Sequence, residues 1–250
     1  RFLSLCAHEY FHNWNVKRIR PAAFAGLPLD RPAHTRLLWV FEGFTSYFDD
    51  WLVRHAGLID ETQYLAALEE TVNRAMRGKG WSRQTLEESS FYAWTRFYQQ
   101  DANAVNAIVS YYTRGAIVAL MLDLMLRERG ASLMDVMRRL WDEHGDEPLP
   151  EGEWIEGLIE AAMGEPMGTF FDRALRSTET LDVAGLLTRF GVSMVPRAEQ
   201  GGPDAGVRVD TRDDRAARVM LVFEDRPGAA AGLAVNDRII AIDGYAVSGA

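Results

Sequence analysis

Two histidines and a glutamate near the start of the chain, in the run His8-Glu9-Tyr10-Phe11-His12, have the types and spacing of a metal site. On a helix, residues four apart lie nearly above one another, so both imidazoles can reach one metal ion. Glu9 lies one position further round, where its carboxylate can take a proton from water and pass it to a leaving amine. Zinc suits this chemistry because it lowers the pKa of coordinated water towards ~7. The pattern also arises by chance, and a histidine pair can simply cap a core. Such a metal site needs a third protein ligand, which the rest of the sequence must supply.

The aromatic segment 38–47 offers Glu42 as that third ligand. Burying a carboxylate among Trp and Phe side chains is costly unless it is paired or bound to a metal. Asp49 follows seven residues later, about two turns along the same helical face, where it can hydrogen-bond a ligand imidazole. The alternatives are a solvent-facing acid at a helix start for Glu42 and a surface acid for Asp49.

Helical periodicity dominates the chain up to about residue 180, and strand-like patterns follow. Helices are predicted at 1–16, 42–55, 64–77, 108–129, 132–145, 151–163 and 167–176, with an irregular aromatic stretch at 78–103. After one short helix at 181–190, runs rich in Val and Ile predict strands at 192–195, 207–210, 217–223 and 237–242. We therefore expect a mostly α fold with a helical domain at 1–180 and a small β-rich domain at 185–250.

Composition limits the classes of function. A net charge of -9 offers no electrostatic case for nucleic acid, and no apolar run reaches the ~18–20 residues that span a bilayer. Cys6 is the single cysteine, so an intramolecular disulfide is impossible and the redox compartment stays open. Because the first helix begins at Arg1 without a capping residue, we expect a fragment of a longer soluble protein.

Two segments together resemble a known signature. The runs His8-Glu9-x-x-His12-Asn13-Trp14 and Trp39-x-x-Glu42-Gly43-Phe44-Thr45 resemble those of gluzincin aminopeptidases, thermolysin-like zinc enzymes that include aminopeptidase N. The resemblance implies one zinc ion on His8, His12 and Glu42, with Glu9 as general base and then acid. Glu42 follows His12 by 30 positions, longer than in aminopeptidase N. The added loop, residues 15–21, is instead similar to the glycyl aminopeptidase family.

A tyrosine pair precedes the long apolar helix. The run Tyr111-Tyr112-Thr113-Arg114-Gly115-Ala116 resembles the Tyr-x-Lys-Gly-Ala segment of the same enzymes, with Arg114 in place of lysine. The resemblance implies that the Tyr112 hydroxyl donates to the oxyanion of the tetrahedral intermediate, a contact that contributes about 3 kcal/mol. If the alignment with that segment shifts by one residue, Tyr111 takes this role instead. The alternative for Tyr112 is a packing role as an aromatic side chain of the core. Arg114 either steadies an acidic group or is solvated.

The end of the chain resembles part of a bacterial PDZ domain, which members of the glycyl aminopeptidase family carry after the catalytic domain. In residues 227–244 a short helix closes at Ala231-Gly232-Leu233, and a strand leads into an Asp243-Gly244 turn. PDZ domains bind peptides, including C-terminal ones, by adding a strand to a sheet edge. Gly191, in Phe190-Gly191-Val192, is the candidate for the peptide-binding loop. A packing appendage without a ligand is the alternative, and we expect the domain to be incomplete.

These features predict zinc-dependent hydrolysis of peptide bonds, with small N-terminal residues such as Gly or Ala released. An endopeptidase is the alternative, because related enzymes anchor the substrate amine partly from an N-terminal β-domain that is absent here. A peptide-binding protein with a vestigial zinc site is the alternative outside the enzyme class. The expected partners are peptides, and the bacterial cytoplasm and periplasm both remain open as the compartment.

Overall fold

A computed structural model describes residues 2–28, 30–197, 204–212 and 216–247, and helices form most of it. The α-helices are α1 (Phe2–Phe11), α2 (Thr45–His55), α3 (Glu61–Ala75), α4 (Leu86–Phe91), α5 (Ala104–Ala107), α6 (Thr113–Glu128), α7 (Leu133–His144), α8 (Trp154–Met163), α9 (Gly168–Phe171), α10 (Val183–Arg189) and α11 (Pro227–Ala230). Single 3₁₀ turns lie at Ala22–Phe24 and Gly80–Ser82, and π-helical turns at Trp39–Phe44, Ala93–Phe97 and Asp172–Arg176. None of the described helices is long and apolar enough to cross a membrane.

Side-chain caps set where two of the predicted helices begin. Asp60 accepts a hydrogen bond from the Gln63 backbone, and the Gln63 side chain accepts one from the Asp60 backbone, so α3 starts with a capping box. Ser132 caps α7 in the predicted position by accepting from the backbone of Asp135. The predicted start of α6 was wrong by five residues, because Ile108 has an extended backbone and the helix begins at Thr113.

Helix α6 lies at the centre of the core, which explains its continuous apolar sequence. Val118, Leu122 and Leu126 are fully buried there, among side chains of α2, the Trp39–Phe44 turn and α7. Asp123 is also buried, and three donors satisfy its carboxylate: the Tyr47 hydroxyl at 2.6 Å, the Leu133 backbone at 2.7 Å and Arg127 Nε at 2.7 Å. The buried acid of this apolar helix is therefore a structural group rather than a site.

Short antiparallel strands begin after residue 206. Strands β1 (Val207–Asp210), β2 (Ala217–Val222) and β3 (Arg238–Ile239) form one sheet in the order β1-β2-β3. Strands β4 (Ala241–Ile242) and β5 (Tyr245–Ala246) form a hairpin around Asp243 and Gly244. We call residues 204–212 and 216–247 the β-module.

Two of the strand predictions need correction. Residues 192–195 form no strand, because the Val192 backbone N–H instead bonds Leu187 O to close α10. The predicted strand at 237–242 is interrupted at Ile240 and divides between two sheets. The Asp243-Gly244 turn is confirmed, since both residues have positive φ, 51° and 80°, as a tight hairpin turn requires.

Among the described contacts between the β-module and the helical part are one buried amide and two ion pairs. The Asn106 side chain of α5 donates to Val222 O at 2.9 Å and accepts from the Glu224 backbone at 3.1 Å. Arg83 Nη2 lies 2.6 Å from Glu224 Oε2, and Lys79 Nζ lies 2.8 Å from Asp225 Oδ2. These contacts fix the first strands of the module against α5 and the Gly80–Ser82 turn.

Candidate metal centre

The structure brings His8, His12 and Glu42 together. His8 lies on α1 and His12 directly follows its last residue, with ring centroids 4.7 Å apart, and Glu42 lies in the Trp39–Phe44 turn. His8 Nε2 and His12 Nε2 are each 3.4 Å from Glu42 Oε2. The three ligand atoms lie within 4.8 Å of one another, so one ion can contact all of them.

The carboxylate of Glu42 tests whether a metal ion fits this cluster. Its Oε2 atom is buried and has no hydrogen-bond partner of good geometry, although it faces two imidazole nitrogens. A buried carboxylate oxygen without a partner is costly, and a cation between the three side chains removes that cost. Two imidazole nitrogens and one carboxylate oxygen also form a donor set found in catalytic metal sites. The residues present therefore fit a divalent metal ion.

Charge determines protonation in this cluster. Burial lowers the pKa of His8, but Asp49 and Glu42 outweigh burial and raise it to about 9. Burial also lowers the pKa of His12, and Glu42 with the Asn15 carbonyl raises it above its usual value. Burial raises the pKa of Glu42, yet the two histidines outweigh it and lower that pKa to about 2. Glu42 is therefore ionised at neutral pH and available to a cation.

Each imidazole is held through its other nitrogen. His8 Nδ1 lies 3.2 Å from Asp49 Oδ2, on α2, at the position that the seven-residue spacing predicts. His12 Nδ1 lies 2.9 Å from the backbone oxygen of Asn15. Hydrogen bonds of this kind orient the ring, and here both Nε2 atoms face Glu42, so both rings are oriented to bind a metal ion.

Asn15 is a site residue that sequence reasoning missed. Its side chain is fully buried and donates to Val40 O at 3.1 Å, Phe41 O at 3.3 Å and Thr45 Oγ1 at 3.2 Å. One residue thus orients His12 through its carbonyl and ties the end of α1 to the turn that carries Glu42. A polar residue three positions after the second histidine was the available signal, but its partners lie far along the chain.

Tyr112 lies beside the metal residues at the start of α6. Its ring is inclined by 29° to that of His8, with centroids 6.2 Å apart. Burial, followed by the charge of Glu42, raises the pKa of Tyr112 above its usual value. The phenol therefore keeps its proton at neutral pH and can act as a donor. Tyr111 is instead buried in the core at 1% exposure.

A contact between two glycines sets the distance between Tyr112 and Glu42. A Cβ atom added to Gly43 would lie 2.6 Å from Gly115 Cα, and one added to Gly115 would lie 2.8 Å from Gly43 Cα. The backbones of α6 and the Trp39–Phe44 turn therefore touch directly, which no larger residue allows. This contact gives a physical reason for the glycine in each of the two sequence segments.

The other candidate residues have less specific surroundings. Glu9 lies on the exposed side of α1, next to His8 in sequence. Arg114 is half-buried and donates to Glu179 O at 2.9 Å, and burial lowers its pKa. Gly191 has a φ of 78° and terminates α10, with its N–H bonded to Thr188 O, so a peptide-binding role for it stays a prediction.

Comparisons with known proteins place the same residues in a family context. The family model of the M61 glycyl aminopeptidases matches residues 1–118, which contain every candidate metal ligand and Tyr112. The crystal structure of an aminopeptidase N family protein from Idiomarina loihiensis is similar over 99% of this chain, with 40% sequence identity and a TM-score of 0.90. The chain covers 45% of that protein, so it spans less than half of its length. A search of curated proteins finds no significant match.

Proposed function

We propose that residues 1–180 form the catalytic domain of a zinc aminopeptidase that releases small N-terminal residues from peptides. One observation carries the proposal: two imidazole nitrogens and a buried carboxylate oxygen without a hydrogen-bond partner converge within 4.8 Å. The match of residues 1–118 to a peptidase family supports it. The preference for Gly or Ala rests on similarity to the glycyl aminopeptidases alone.

The roles of the residues follow from their places. His8, His12 and Glu42 hold the zinc ion, while Asp49 and the Asn15 carbonyl keep the two imidazoles oriented. When bound, zinc polarises the scissile carbonyl and makes a hydroxide-like nucleophile available near neutral pH. Glu9 accepts the proton of the attacking water and delivers it to the departing amine nitrogen. The Tyr112 hydroxyl donates to the carbonyl oxygen as negative charge develops there.

The β-module is proposed to be part of a PDZ domain within residues 185–250. Its short helix α11, its antiparallel strands and the Asp243-Gly244 turn support this, because they follow the order that the resemblance implies. Such a domain binds an extended peptide at a sheet edge. Binding of a peptide there would be separate from hydrolysis at His8, His12 and Glu42.

The test is a comparison of full-length wild type with Glu9→Gln. We expect one zinc per chain in both proteins, and a turnover in the variant lower by about 10²–10⁴-fold, the usual contribution of general acid–base catalysis. Glu69→Gln, at an exposed position of α3, is the matched control and should keep full turnover. Zinc is measured by elemental analysis and turnover with Gly- and Ala-initiated peptides.

Three outcomes would contradict parts of this proposal. Absence of stoichiometric zinc, with no uptake on reconstitution, removes the metal mechanism. Unchanged hydrolysis in Glu9→Gln, with peptide binding retained, favours a binding protein whose metal site is vestigial. Equal cleavage of free and N-acetylated peptides shows an endopeptidase, since an aminopeptidase needs the free amine.

A further inference from the structure

A cleft of about 420 Å³ lies between the helical part of the chain and the β-module. Trp81, Phe97 and Ile108 line it on the helical side, and Leu221 and Phe223 line it on the side of β2. The size falls within the range of binding sites for small ligands and short peptide segments. Its walls combine apolar side chains with charged groups, as ligand sites do.

The charge in this cleft is opposite to that of the chain as a whole. Arg74, Arg77 and Arg208 line it, and Asp101 is the one carboxylate among its described lining residues. Arg74 Nε lies 3.9 Å from Glu70 Oε1, a loose contact, and the Arg208 guanidinium lies 5.7 Å from the Phe223 ring centroid. In a protein with a net charge of -9, three guanidinium groups around one cleft favour an anionic ligand.

The cleft begins next to the candidate metal centre. Phe97 lines it, and its ring centroid is 5.8 Å from that of Tyr112. Thr113, the residue after Tyr112, also lines it. Because the Tyr112 ring lies 6.2 Å from that of His8, two rings separate the cleft from the metal residues. A ligand that extended from the metal residues to the cleft would therefore have to pass the rings of Tyr112 and Phe97.

The walls of the cleft are fixed relative to one another. Asn106 holds the end of β2 through hydrogen bonds to Val222 and Glu224. On the helical side, Gly78 and Gly80 pack so tightly against the backbones of Val105 and Ile108 that an added Cβ would approach within 2.0 Å and 1.8 Å. A site preformed in this way loses little affinity to reordering.

We propose that this cleft binds the carboxyl-terminal end of a short peptide whose first residue lies at the metal centre. The inference rests on the proposed function, because an aminopeptidase substrate always keeps its terminal carboxylate, whatever its sequence. A guanidinium group pairs with a carboxylate through two parallel hydrogen bonds, and Arg77 and Arg208 supply this chemistry from opposite walls. Since an extended peptide rises about 3.3 Å per residue, the carboxylate reaches the arginines only at one range of peptide lengths.

The experiment uses full-length protein and alanine peptides of two to eight residues, each as free acid and as C-terminal amide. At one range of lengths the free acid should have a KM about tenfold or more below that of the amide, with kcat unchanged. Charge-assisted hydrogen bonds contribute an effect of this size. In Arg77→Ala the ratio of the two KM values should fall to about one. Arg54→Ala, an exposed arginine of α2 outside the cleft, should keep the wild-type ratio.

Failure of the inference and failure of the proposed function give different results. Cleavage of acids and amides with equal KM at every length overturns the inference and leaves the peptidase intact. If no peptide is cleaved, the peptidase proposal fails, and calorimetric titration with the same peptides still decides about the cleft. If the free acid binds more tightly than the amide, and Arg77→Ala abolishes this difference, the titration supports the proposed role of the cleft. Equal binding of acid and amide overturns it. An amidated peptide with an acidic side chain that binds as tightly as the free acid also overturns the assignment to the carboxyl terminus.

Discussion

The surroundings of the metal residues and the β-module differ in how much core supports them. Trp39, Phe41 and Phe44, around Glu42, are all at most 1% exposed. In the β-module, Val219 is fully buried, but Ile242 and Tyr245 of the last hairpin are 61% and 80% exposed. Burial of apolar area contributes about 25 cal/mol per Å² to the free energy of folding. Packing therefore holds the surroundings of Glu42 in place, whereas the β-module depends more on a few polar contacts.

This difference separates chemistry from recognition. Catalytic side chains must be held within fractions of an ångström, and the touching backbones at Gly43 and Gly115 meet that requirement. The β-module contributes Arg208 to the cleft, where the proposed ligand would be held by flexible guanidinium groups that tolerate small displacements. Changes near the candidate metal residues should therefore alter turnover or global stability, whereas loss of an exposed ion pair at the module boundary should have a small effect.

Tyr112→Phe should have the largest effect on turnover, because it removes the proposed oxyanion donor and little else. We expect kcat to fall by about 10²–10³-fold, with zinc content unchanged. The measurement is steady-state hydrolysis of a Gly-initiated peptide together with elemental analysis.

Tyr111→Phe tests which of the two adjacent tyrosines donates to the oxyanion. It removes a core hydroxyl that hydrogen-bonds Tyr98 and Tyr112 but leaves the Tyr112 hydroxyl in place, so kcat should fall far less than in Tyr112→Phe. Loss of turnover in Tyr111→Phe with little change in Tyr112→Phe would assign the oxyanion to the other tyrosine and break the proposed geometry.

Gly115→Ala tests whether packing fixes the site. The added methyl group would lie 2.8 Å from Gly43 Cα and 3.0 Å from Trp39 O, both on rigid backbone. We expect the free energy of unfolding to fall by about 1–3 kcal/mol, the usual cost of overpacking, and turnover to fall because Tyr112 moves away from Glu42.

Gly157→Ala is the matched control within helix α8. Apart from the neighbouring backbone of its own helix, no atom lies within 4 Å of the added methyl group there, so the change should stabilise the protein by about 0.5–1 kcal/mol. Chemical denaturation followed by tryptophan fluorescence measures both variants. If Gly115→Ala is as stable and as active as wild type, the two backbones are not constrained as described.

Local patterns in the sequence predicted that His8 and His12 lie together, because helical spacing brings them close without knowledge of the fold. The partner of His8 was also predictable, since Asp49 follows Glu42 by two helical turns. The partner of His12 was not, because Asn15 binds backbone oxygens of Val40 and Phe41, which only the folded chain brings near.

Longer-range features lay outside what local patterns determine. Residues 192–195 have strand-forming composition, but a strand requires a neighbour, and among the described residues none pairs with them. The basic cleft likewise unites Arg74 and Arg77 from the end of α3 with Arg208 from β1. Such a site arises from tertiary packing, and its residues carry no common signal in the sequence.

Arg83→Ala should have the smallest effect, because its ion pair with Glu224 is largely exposed. Exposed pairs contribute about 0.2–1 kcal/mol and lose that contribution in salt, so we expect a small decrease in stability that disappears at 1 M NaCl, where the screening length is about 3 Å. Asn106→Ala removes a buried amide with two backbone partners and should cost more, about 1–3 kcal/mol, independent of salt. Denaturation at low and high salt measures both. A larger, salt-dependent loss in Arg83→Ala would show that ion pairs, rather than the buried amide, hold the β-module in place.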